Sequence, residues 1–467
     1  MVLQKQRYQA LAVASVQDAL EKLLENSYHI LILDLNMQGA TNPDSQGLVL
    51  LKDLEKYGLN KVTQVIILSA YGTLDAMRTA FKDYDVADFL DKGGIFSDYD
   101  AASLANKKGA FFNPQLLLKS IQAVFTHKNH VNLHLNIVWP PQMSATRAVQ
   151  SLHMDESPGK SSPLLPEKLG EELEDLFCRL FHNAQSIHVQ PLSPGWSGTG
   201  VLQIQPFYQS GGRGRDVIVK FGSIRKIDAE YANFQNYVQN FISEGRNSIA
   251  LQTRRTAQLG GIIYSHLGAS GDQMKDFSAF YHSAETPQII TSLTHLINRT
   301  CKRWYINRRP LQSLNLSAIY QKLFEVPAHK IEAHLQQCIQ DLEVTTLDRL
   351  TFTNLPGSHT FTNPLAGAGQ PFACFSYLSV NHGDLNPHNM LVDENQHIWL
   401  IDFQSTGPSH ILRDIATLDT IIRFQVLQNA EADLLDRLEL EEILCGVEHY
   451  RQLESLAGHF QPQNEHV

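Results

Sequence analysis

The sequence has few cysteines, no long apolar run and no excess of basic charge. Its five cysteines are scattered along 467 residues and form no C-x-x-C pair, as is usual for a protein of the reducing cytosol. Neither a signal peptide nor a span of about 18 apolar residues is visible. The formal net charge of −10 argues against a nucleic-acid backbone as the main partner. We therefore expect a cytoplasmic protein that binds neither membranes nor nucleic acids.

The most informative segment is 381–407, which has the sequence N-H-G-D-L-N-P-H-N-M-L-V-D-E-N-Q-H-I-W-L-I-D-F-Q-S-T-G. Asp384 follows His-Gly, Asn389 stands five residues later, and Asp402 ends an apolar run. This order is typical of phosphoryl-transfer sites, in which a catalytic loop precedes two metal-binding residues. The alternative is a loop whose Asp and Asn side chains make only turn hydrogen bonds.

Two short apolar runs in this segment, 390–392 and 398–401, predict a tight β-hairpin because a polar turn separates them. Such a hairpin would bring Asn389 and Asp402 close together. Two oxygen donors on a rigid hairpin suit Mg²⁺, a hard cation that takes one or two protein ligands besides phosphate oxygens. Asp384 would orient or deprotonate an attacking hydroxyl.

A glycine cluster and a lysine on a strand match the upstream part of a kinase site. Gly195, Gly198 and Gly200 lie in S-P-G-W-S-G-T-G-V, where they would let backbone N–H groups approach phosphate oxygens. Lys220 lies near the end of the predicted strand 216–221 and would place a positive charge on the same oxygens. Taken alone, a glycine cluster of this kind is weak evidence and is more often an ordinary hairpin loop; its position before a strand lysine, with the catalytic loop far downstream, favours the kinase interpretation.

A kinase site also needs an acidic residue on a helix to hold the lysine. Glu230 lies ten positions after Lys220 in the helical segment 227–241 and is the candidate. Asp228 and Glu244 are nearby alternatives.

A second signature lies near the N-terminus, where three predicted strands each end in a polar side chain. Asp34 ends the first apolar run, Ser69 follows residues 64–68, and Lys92 follows residues 85–91. Open α/β sheets place their ligands at the carboxyl ends of the strands. These three side chains are therefore expected at one edge of a parallel sheet.

Residues from about 165 to 467 resemble the protein-kinase-like superfamily, on the branch with aminoglycoside phosphotransferases and choline kinases, whose catalytic loop is H-G-D. More narrowly, S-G-T-G-V, V-I-V-K-F-G, G-G-I-I-Y-S and H-G-D-L-N-P-H-N resemble the bacterial kinase-like "ternary complex associated" domain. The resemblance implies an α+β two-lobed fold with ATP and Mg²⁺ between the lobes. It implies that 260–265 form the hinge, and that His410 and Asp414 support the catalytic loop.

Residues 1–127 resemble a response-regulator receiver domain, an α/β fold with a doubly wound parallel sheet. The resemblance implies that Asp34 is the phosphoacceptor, that Ser69 and Lys92 contact the phosphoryl group, and that Phe89 is the aromatic switch. It also implies an upstream histidine kinase as a partner.

The N-terminal segment departs from the receiver pattern. A receiver opens with a strand that carries an acidic pair for Mg²⁺, whereas this sequence begins at what matches the second strand, residues 8–13. Either the gene model starts too late or the receiver is degenerate and cannot bind Mg²⁺. Both readings argue against phosphorylation of Asp34 in the sequence as given.

The domain limits expected are 1–127 for the receiver, 128–166 for a joint and linker, and 167–467 for the kinase-like domain, with lobes 167–265 and 266–467. The secondary structure expected outside the motifs comprises a strand over 130–139, a loop over 356–370, and helices over 16–26, 144–154, 167–182, 288–305, 317–324, 329–343 and 412–451.

Two functions fit these motifs. One is a two-component-type signalling protein whose receiver regulates an ATP- and Mg²⁺-dependent phosphotransferase. The other is a catalytically inactive, nucleotide-binding adaptor that acts through protein contacts. The acceptor substrate or partner protein is not indicated, since fold does not determine substrate.

Overall fold

The chain divides into two compact units, Met1–Tyr231 with Ile249–His266 and Ala232–Ser248 with Leu267–Val467. The computed structural model describes residues 3, 8–35, 45–69, 74–91, 114–129, 131–154, 165–191, 198–209, 211–242, 250–265, 274–324, 342–346, 349–352, 359–362, 371–427, 434–447, 449 and 451–452. Among these residues, no helix combines the length and the apolar character that crossing a bilayer requires.

The first unit begins with a three-stranded parallel sheet in the order β1–β2–β3. The strands are β1 (Ile30–Leu33), β2 (Gln64–Ser69) and β3 (Asp88–Asp91), and the helices are α1 (Val16–Glu25), α2 (Ser45–Lys56), α3 (Leu74–Asp83) and α4 (Pro114–Ala123). Neighbouring side chains of β2 point to opposite faces, and Ile66 and Ile67 are both fully buried in separate apolar clusters. Burial on both faces explains why these strands are continuously apolar. The predicted parallel α/β sheet is confirmed.

The prediction of a strand over residues 8–13 is wrong, because these residues have no regular secondary structure. A strand forms only where a neighbouring backbone edge accepts it, and in the described part of the chain β1 pairs with β2 alone. Tyr8 instead packs through its ring, which stacks on Phe125 with 6.2 Å between centroids. Both rings belong to the apolar cluster around Ile66.

A six-stranded sheet follows in the first unit, with the order β4–β5–β6–β7–β9–β8. Its strands are β4 (Asn136–Val138), β5 (Ala184–Pro191), β6 (Gly200–Tyr208), β7 (Val217–Ser223), β8 (Ala250–Arg255) and β9 (Leu259–Ser265), and its helices are α5 (Ala145–Val149), α6 (Pro166–Leu180) and α7 (Ile224–Asn233). β4 and β5 are parallel, and the other neighbours are antiparallel. Helix α6 buries Leu173, Leu176 and Phe177 in the core of this sheet. Proline at the first position of α6 favours its start, because Pro has no N–H to leave unpaired.

The strand predicted over 130–139 is confirmed only for its second half, β4. Asn132 ends the regularity of the first half, because its Oδ1 accepts a hydrogen bond from His134 N–H at 3.0 Å. A bond of this kind bends the backbone out of the extended conformation. The Nδ2 of Asn132 donates to the carbonyl of Ala184 at 2.6 Å, which ties the bend to the edge of β5.

The second unit contains more strands than the sequence predicts. Its elements are β10 (Lys275–Asp276), α8 (Phe277–Ser283), α9 (Thr286–His295), α10 (Lys302–Ile306), β11 (Gln312–Asn315), α11 (Leu316–Phe324), β12 (Leu342–Thr346), β13 (Arg349–Phe352), β14 (His359–Thr362), β15 (Ala373–Ser376), β16 (Leu378–Asn381), β17 (Met390–Val392), β18 (Ile398–Leu400), β19 (Gly407–His410), α12 (Arg413–Ile421) and α13 (Leu434–Cys445). The helix predicted over 329–343 lies mostly outside the described residues, but its last two residues start β12. Three consecutive β-branched residues, V-T-T, favour a strand there.

Two other predictions for this unit are corrected. The loop predicted over 356–370 contains β14, which pairs with β13. The helix predicted over 412–451 is interrupted, because the turn after α12 ends at Leu427 in extended backbone.

Glu172 on α6 is a buried carboxylate, and its effect on the stability of the fold can be measured. Burial raises its pKa, although hydrogen bonds from Thr256 and from the N–H of Gln258 partly oppose the shift. An acid whose pKa is raised in the folded state destabilises the fold at high pH. The loss of stability develops as pH rises from the unfolded-state pKa, about 4.3, to the folded-state pKa. We therefore expect Glu172→Gln to raise the melting temperature at pH 7 and to have no effect near pH 4.

A scan of melting temperature against pH tests this expectation. The control is Glu171→Gln, which removes an exposed carboxylate from the same helix and should change the curve little. A Glu172→Gln protein that melts lower than the wild type at pH 7 would contradict the assignment of a buried, costly charge.

Candidate functional site

The predicted hairpin is confirmed in the second unit. β17 and β18 pair antiparallel, with Met390 opposite Leu400. Asp393 closes the turn, since its Oδ1 accepts hydrogen bonds from the N–H groups of Asn395 and His397, both at 2.9 Å. The polar turn between two apolar runs is therefore stabilised by a side chain that the sequence places at its first position.

The catalytic-loop residues Asp384 and Asn389 are brought together by direct hydrogen bonds. The Nδ2 of Asn389 donates to the carbonyl of Asp384 at 2.9 Å and to its Oδ2 at 3.0 Å. Asn386 sets the turn that places Asn389, because its Oδ1 accepts from the N–H groups of residues 388 and 389. The amide group of Asn389 is thus oriented with Oδ1 as its remaining oxygen donor.

Asp402 follows the hairpin in an uncommon backbone conformation. The N–H of Ile401 donates to the carbonyl of Asn389 at 3.1 Å, so the two ends of the hairpin meet beside Asp402. Asp402 has φ +64°, a left-handed conformation that costs of order 1 kcal/mol for a non-glycine residue. Such strain persists where neighbouring groups hold the backbone, and it is found preferentially at functional sites.

Phe403, the next residue, anchors this conformation. It is fully buried, and its ring packs edge-on against His382 with 5.5 Å between centroids. The carbonyls of Phe403 and Gln404 accept hydrogen bonds from Asn233 Nδ2 at 3.2 and 2.8 Å. The Asp402 backbone is therefore fixed from both sides.

Asp414 supports the catalytic loop, as the sequence predicts. Its carboxylate accepts hydrogen bonds from the N–H groups of His382 and Gly383, at 2.7 and 2.9 Å. Gly383 has φ +85°, and a Cβ at this position would lie 2.2 Å from the carbonyl oxygen of Ser405. The middle residue of H-G-D must therefore be glycine in this structure.

Among the described residues, the side chain of His410 contacts groups outside the catalytic loop. Its ring nitrogens contact the hydroxyls of Tyr320 and Ser376, at 3.1 and 3.0 Å. Burial lowers the pKa of His410, which favours the neutral ring at physiological pH.

Lys220 and Glu230 form a buried ion pair in the first unit. The Nζ of Lys220 lies 2.7 Å from Oε2 of Glu230, and the side chains are only 5% and 1% exposed. The hydroxyl of Tyr264 donates to the other carboxylate oxygen, Oε1, at 2.6 Å. Such a pair survives burial only when both groups are well hydrogen-bonded.

The structure shows that Glu230, and not the alternative Asp228, is the partner of Lys220. Asp228 is 48% exposed and lies 3.6 Å from Arg255 rather than beside Lys220. Glu244 lies outside the described residues.

The structure describes two of the three predicted glycines, and at both positions close packing leaves no room for a side chain. Gly198 has φ +67°, and a Cβ there would lie 2.2 Å from the ring of His153. At Gly200, a Cβ would lie 2.2 Å from the ring of Phe221. Gly195 lies outside the described residues.

The receiver edge brings together two of its three predicted residues. Asp34 directly follows β1, and Ser69 is the last residue of β2. Because β1 and β2 are parallel, with Leu33 opposite Ile67, both side chains lie at the carboxyl edge of the sheet. Ser69 is buried, Phe89 is half-buried in the adjoining apolar cluster, and Lys92 lies outside the described residues.

Two family models match the chain. Residues 184–333 and 359–467, more than half of the chain, match the family model described as ternary complex associated domain 9. The chain belongs to the ternary complex associated domain 9 family. Residues 1–98 match the response regulator receiver domain. The chain is thus a receiver domain joined to a ternary complex associated domain. No curated protein matches it.

Solved structures similar to the chain include two aminoglycoside phosphotransferases and one kinase. Aminoglycoside phosphotransferase APH(4)-Ia has a TM-score of 0.35 at 12% identity, covering 55% of this chain and 78% of that one. APH(3'')-Id from Streptomyces rimosus ATCC10970, in complex with ADP and streptomycin, has a TM-score of 0.32 at 13% identity, covering 60% and 92%. Amicoumacin kinase hAmiN, in complex with AMP-PNP, Ca2+ and Ami, has a TM-score of 0.29 at 16% identity, covering 56% and 72%. With TM-scores below 0.5 these likenesses add no argument.

The kinase-like fold of the ternary complex associated domain therefore rests on its motifs, on the family match and on the geometry above. Its oxygen donors also fit the metal that the fold implies. Asn389 offers an amide oxygen and Asp402 a carboxylate, a set that a hard cation such as Mg²⁺ prefers. Within the described part of the chain, no group of three or more His, Cys, Asp or Glu side chains could hold a metal ion.

Tyr264 is a residue of the ternary complex associated domain that the sequence analysis did not single out. It lies on β9, where Ile262 is opposite Lys220 on β7. Side chains two positions apart share a face of a strand, so Tyr264 and Ile262 lie on the same face as Lys220. Pairing the strands from the sequence would have indicated Tyr264.

Proposed function

We propose that this chain is a two-component-type signalling protein whose receiver regulates a kinase-like domain that binds ATP and Mg²⁺ in the cytoplasm. The kinase-like domain transfers the γ-phosphoryl group of ATP to a hydroxyl. The proposed limits are 1–127 for the receiver, 128–166 for the joint and linker, and 167–467 for the kinase-like domain, with lobes 167–265 and 266–467.

The observation that carries the proposal is the arrangement of the catalytic loop and hairpin in the second unit. Asp384 and Asn389 share a hydrogen bond, and Asp402 follows Ile401, whose N–H donates to the carbonyl of Asn389 at the end of the hairpin. Asn389 and Asp402 would hold Mg²⁺. The metal supplies charge neutralisation at the phosphate oxygens.

Asp384 would act on the acceptor. Its carboxylate is held by Asn389 and can accept the proton of an attacking hydroxyl. The new bond joins the hydroxyl oxygen to the γ-phosphorus, the bond from that phosphorus to the β–γ bridging oxygen breaks, and ADP leaves with the electron pair.

Lys220 would bind the phosphates in the first unit. Its ammonium is oriented by Glu230 and is almost fully buried, so little reorganisation is needed when it meets an anion. Gly195, Gly198 and Gly200 would supply backbone N–H groups to the same phosphates.

The receiver would provide the regulatory input. A receiver implies a phosphodonor kinase as its general partner, and we propose a histidine kinase, with Asp34 as the phosphoacceptor in a chain that also supplies the acidic pair for Mg²⁺. Ser69 and Lys92 would contact the phosphoryl group.

ATP titration of the full chain, followed calorimetrically with and without Mg²⁺, tests the proposal. We expect Mg²⁺-dependent binding that weakens by about 10- to 100-fold in the double variant Lys220→Met/Glu230→Gln, since a hydrogen bond to a charged group contributes about 1.5–3 kcal/mol. Removing both partners avoids leaving one buried charge unpaired. The control is Lys168→Met, which removes an exposed cation from α6.

Two outcomes would change the proposal. If ATP does not bind with or without Mg²⁺, the kinase-like activity is excluded. If ATP binds but is not consumed with any acceptor, the chain is the nucleotide-binding adaptor that the sequence also allows.

A further inference from the structure

We propose that the receiver holds the Lys220–Glu230 ion pair in place through helix α6, with Asp175 and Tyr264 as positioning residues at the two ends of this route. The inference rests on the proposed function, since it names how the receiver regulates the nucleotide site. All groups along the route belong to the first unit.

The route begins where the receiver meets the outer face of α6. Asp175 contacts two basic side chains with its two oxygens: Oδ1 lies 2.6 Å from His29 Nε2, and Oδ2 accepts from Arg179 Nε at 2.9 Å. Arg179 also donates to the carbonyl of Val62 at 3.0 Å. His29 directly precedes β1 and Val62 precedes β2, so Asp175 joins the start of the first strand to the helix and Arg179 joins the start of the second.

A second contact ties the receiver to the turn between β8 and β9. The N–H of Ala257 donates to the hydroxyl of Ser27 at 3.3 Å, and Gln258 Nε2 donates to the carbonyl of Leu24 at 3.0 Å. These receiver groups lie at the amino edge of the parallel sheet, opposite the carboxyl edge that carries Asp34. The receiver is therefore attached by one edge while its phosphoacceptor lies at the other.

Asp175 is suited to be the attachment point because it keeps its charge. Burial alone would raise its pKa, but the hydrogen bond from His29 and the charge of Arg179 together hold the pKa below its ordinary value. Its hydrogen bonds are therefore charge-assisted, and such bonds are about twice as strong as neutral ones. Losing either partner would weaken the hold of the receiver on α6.

The inner face of α6 packs its leucine side chains directly on the backbone of β9 at Gly261. A Cβ on Gly261 would lie 2.9 Å from Leu176 and 3.2 Å from Leu180. Close packing of this kind transmits displacement, because protein interiors compress very little. A shift of α6 must therefore move β9.

The opposite face of β9 positions the ion pair. Tyr264 donates to Oε1 of Glu230 at 2.6 Å, while Lys220 binds Oε2 at 2.7 Å. A Cβ on Gly260 would lie 2.8 Å from the side chain of Ile227, so α7 also packs directly on this strand. Moving β9 therefore moves the groups that orient Glu230, and through Glu230 it moves Lys220.

Hydrogen exchange and ATP affinity measured on the full chain test the route. The variants are His29→Ala on the receiver and Asp175→Asn on α6, with Glu174→Gln as an exposed control on the same helix. We expect both variants, but not the control, to speed exchange over residues 217–233 about fivefold. We also expect both to weaken ATP binding about fivefold, the lower end of typical coupling between sites.

A double-mutant cycle separates coupling from local destabilisation. His29 and Tyr264 share no hydrogen-bond partner among the contacts above, so independent effects on ATP affinity would multiply. We expect His29→Ala to have less effect in a Tyr264→Phe background, because that background already lacks the bond to Glu230. Coupling is also reciprocal, so ATP should slow exchange over residues 24–29 and 58–63 in the wild type and do so less in Tyr264→Phe.

The outcomes are distinct from those that test ATP binding. Unchanged exchange over 217–233 in His29→Ala, or effects of His29→Ala and Tyr264→Phe that simply multiply, would overturn the route even if ATP binds. If ATP does not bind at all, the exchange arm still decides whether the receiver positions the ion pair.

Discussion

Asp402→Asn is expected to abolish Mg²⁺-dependent ATP binding while leaving the hairpin folded. Asn tolerates the left-handed conformation that Asp402 adopts at φ +64°, so the backbone should keep its shape. The substitution exchanges a carboxylate for a neutral amide and removes the only charge from the proposed Asn389–Asp402 ligand pair. Loss of an outer-shell partner already weakens metal binding about 10- to 100-fold, so loss of this charge should weaken ATP binding in the presence of Mg²⁺ by more than about 100-fold.

Thermal shift with ATP gives the measurement, because a ligand present at about 100 times its Kd stabilises the fold by about 2.7 kcal/mol. The matched control is Glu394→Gln, an acid-to-amide change at an exposed position of the same hairpin. The control should shift as the wild type does. An Asp402→Asn protein that retains the full Mg²⁺-dependent shift would show that Asp402 is not a metal ligand.

Local patterns predicted the hairpin because both of its strands and its turn lie within a few residues of one another. The apolar runs, the polar turn and the flanking Asn389 and Asp402 all appear in one segment, and their pairing needs no information from elsewhere. The same holds for helix α6, whose apolar residues repeat with helical spacing.

Contacts between distant segments were predicted less well. Residues 8–13 have the composition of a strand, but a strand also needs a partner edge, which depends on the rest of the sheet. The contact between His29 and Asp175 joins residues 146 positions apart, and no local pattern indicates it. The strands β12–β14 were missed because their pairing is likewise decided by tertiary context.

The site residues likewise divide into those that local motifs indicate and those that only tertiary contacts identify. Lys220 and Glu230 were found because kinase motifs specify them, and the structure brings them within 2.7 Å. Tyr264 belongs to no such motif and required the register of β7 against β9. The Asp414 contacts were anticipated by resemblance, whereas His410 proved to contact other side chains.

Asp414→Ala is expected to destabilise the second unit more than any other single change considered above. Asp414 is fully buried and accepts hydrogen bonds from two backbone N–H groups of the catalytic loop, those of His382 and Gly383. The hydroxyl of Tyr305 donates to it as well, at 3.3 Å. Each buried donor left without an acceptor costs about 1–3 kcal/mol, so the loss should total about 3–5 kcal/mol.

Denaturant unfolding of the full chain, followed by a probe in the second unit, measures this loss. Asp419→Ala is the control, since Asp419 lies on the same helix but is 54% exposed and pairs with the partly exposed Arg423; an exposed ion pair contributes about 0–1 kcal/mol. Asp414→Asn should fall between the wild type and the alanine variant, because its amide oxygen can still accept one of the loop N–H groups. An Asp414→Ala protein as stable as Asp419→Ala would show that the loop N–H groups find other acceptors, and that Asp414 does not hold the catalytic loop.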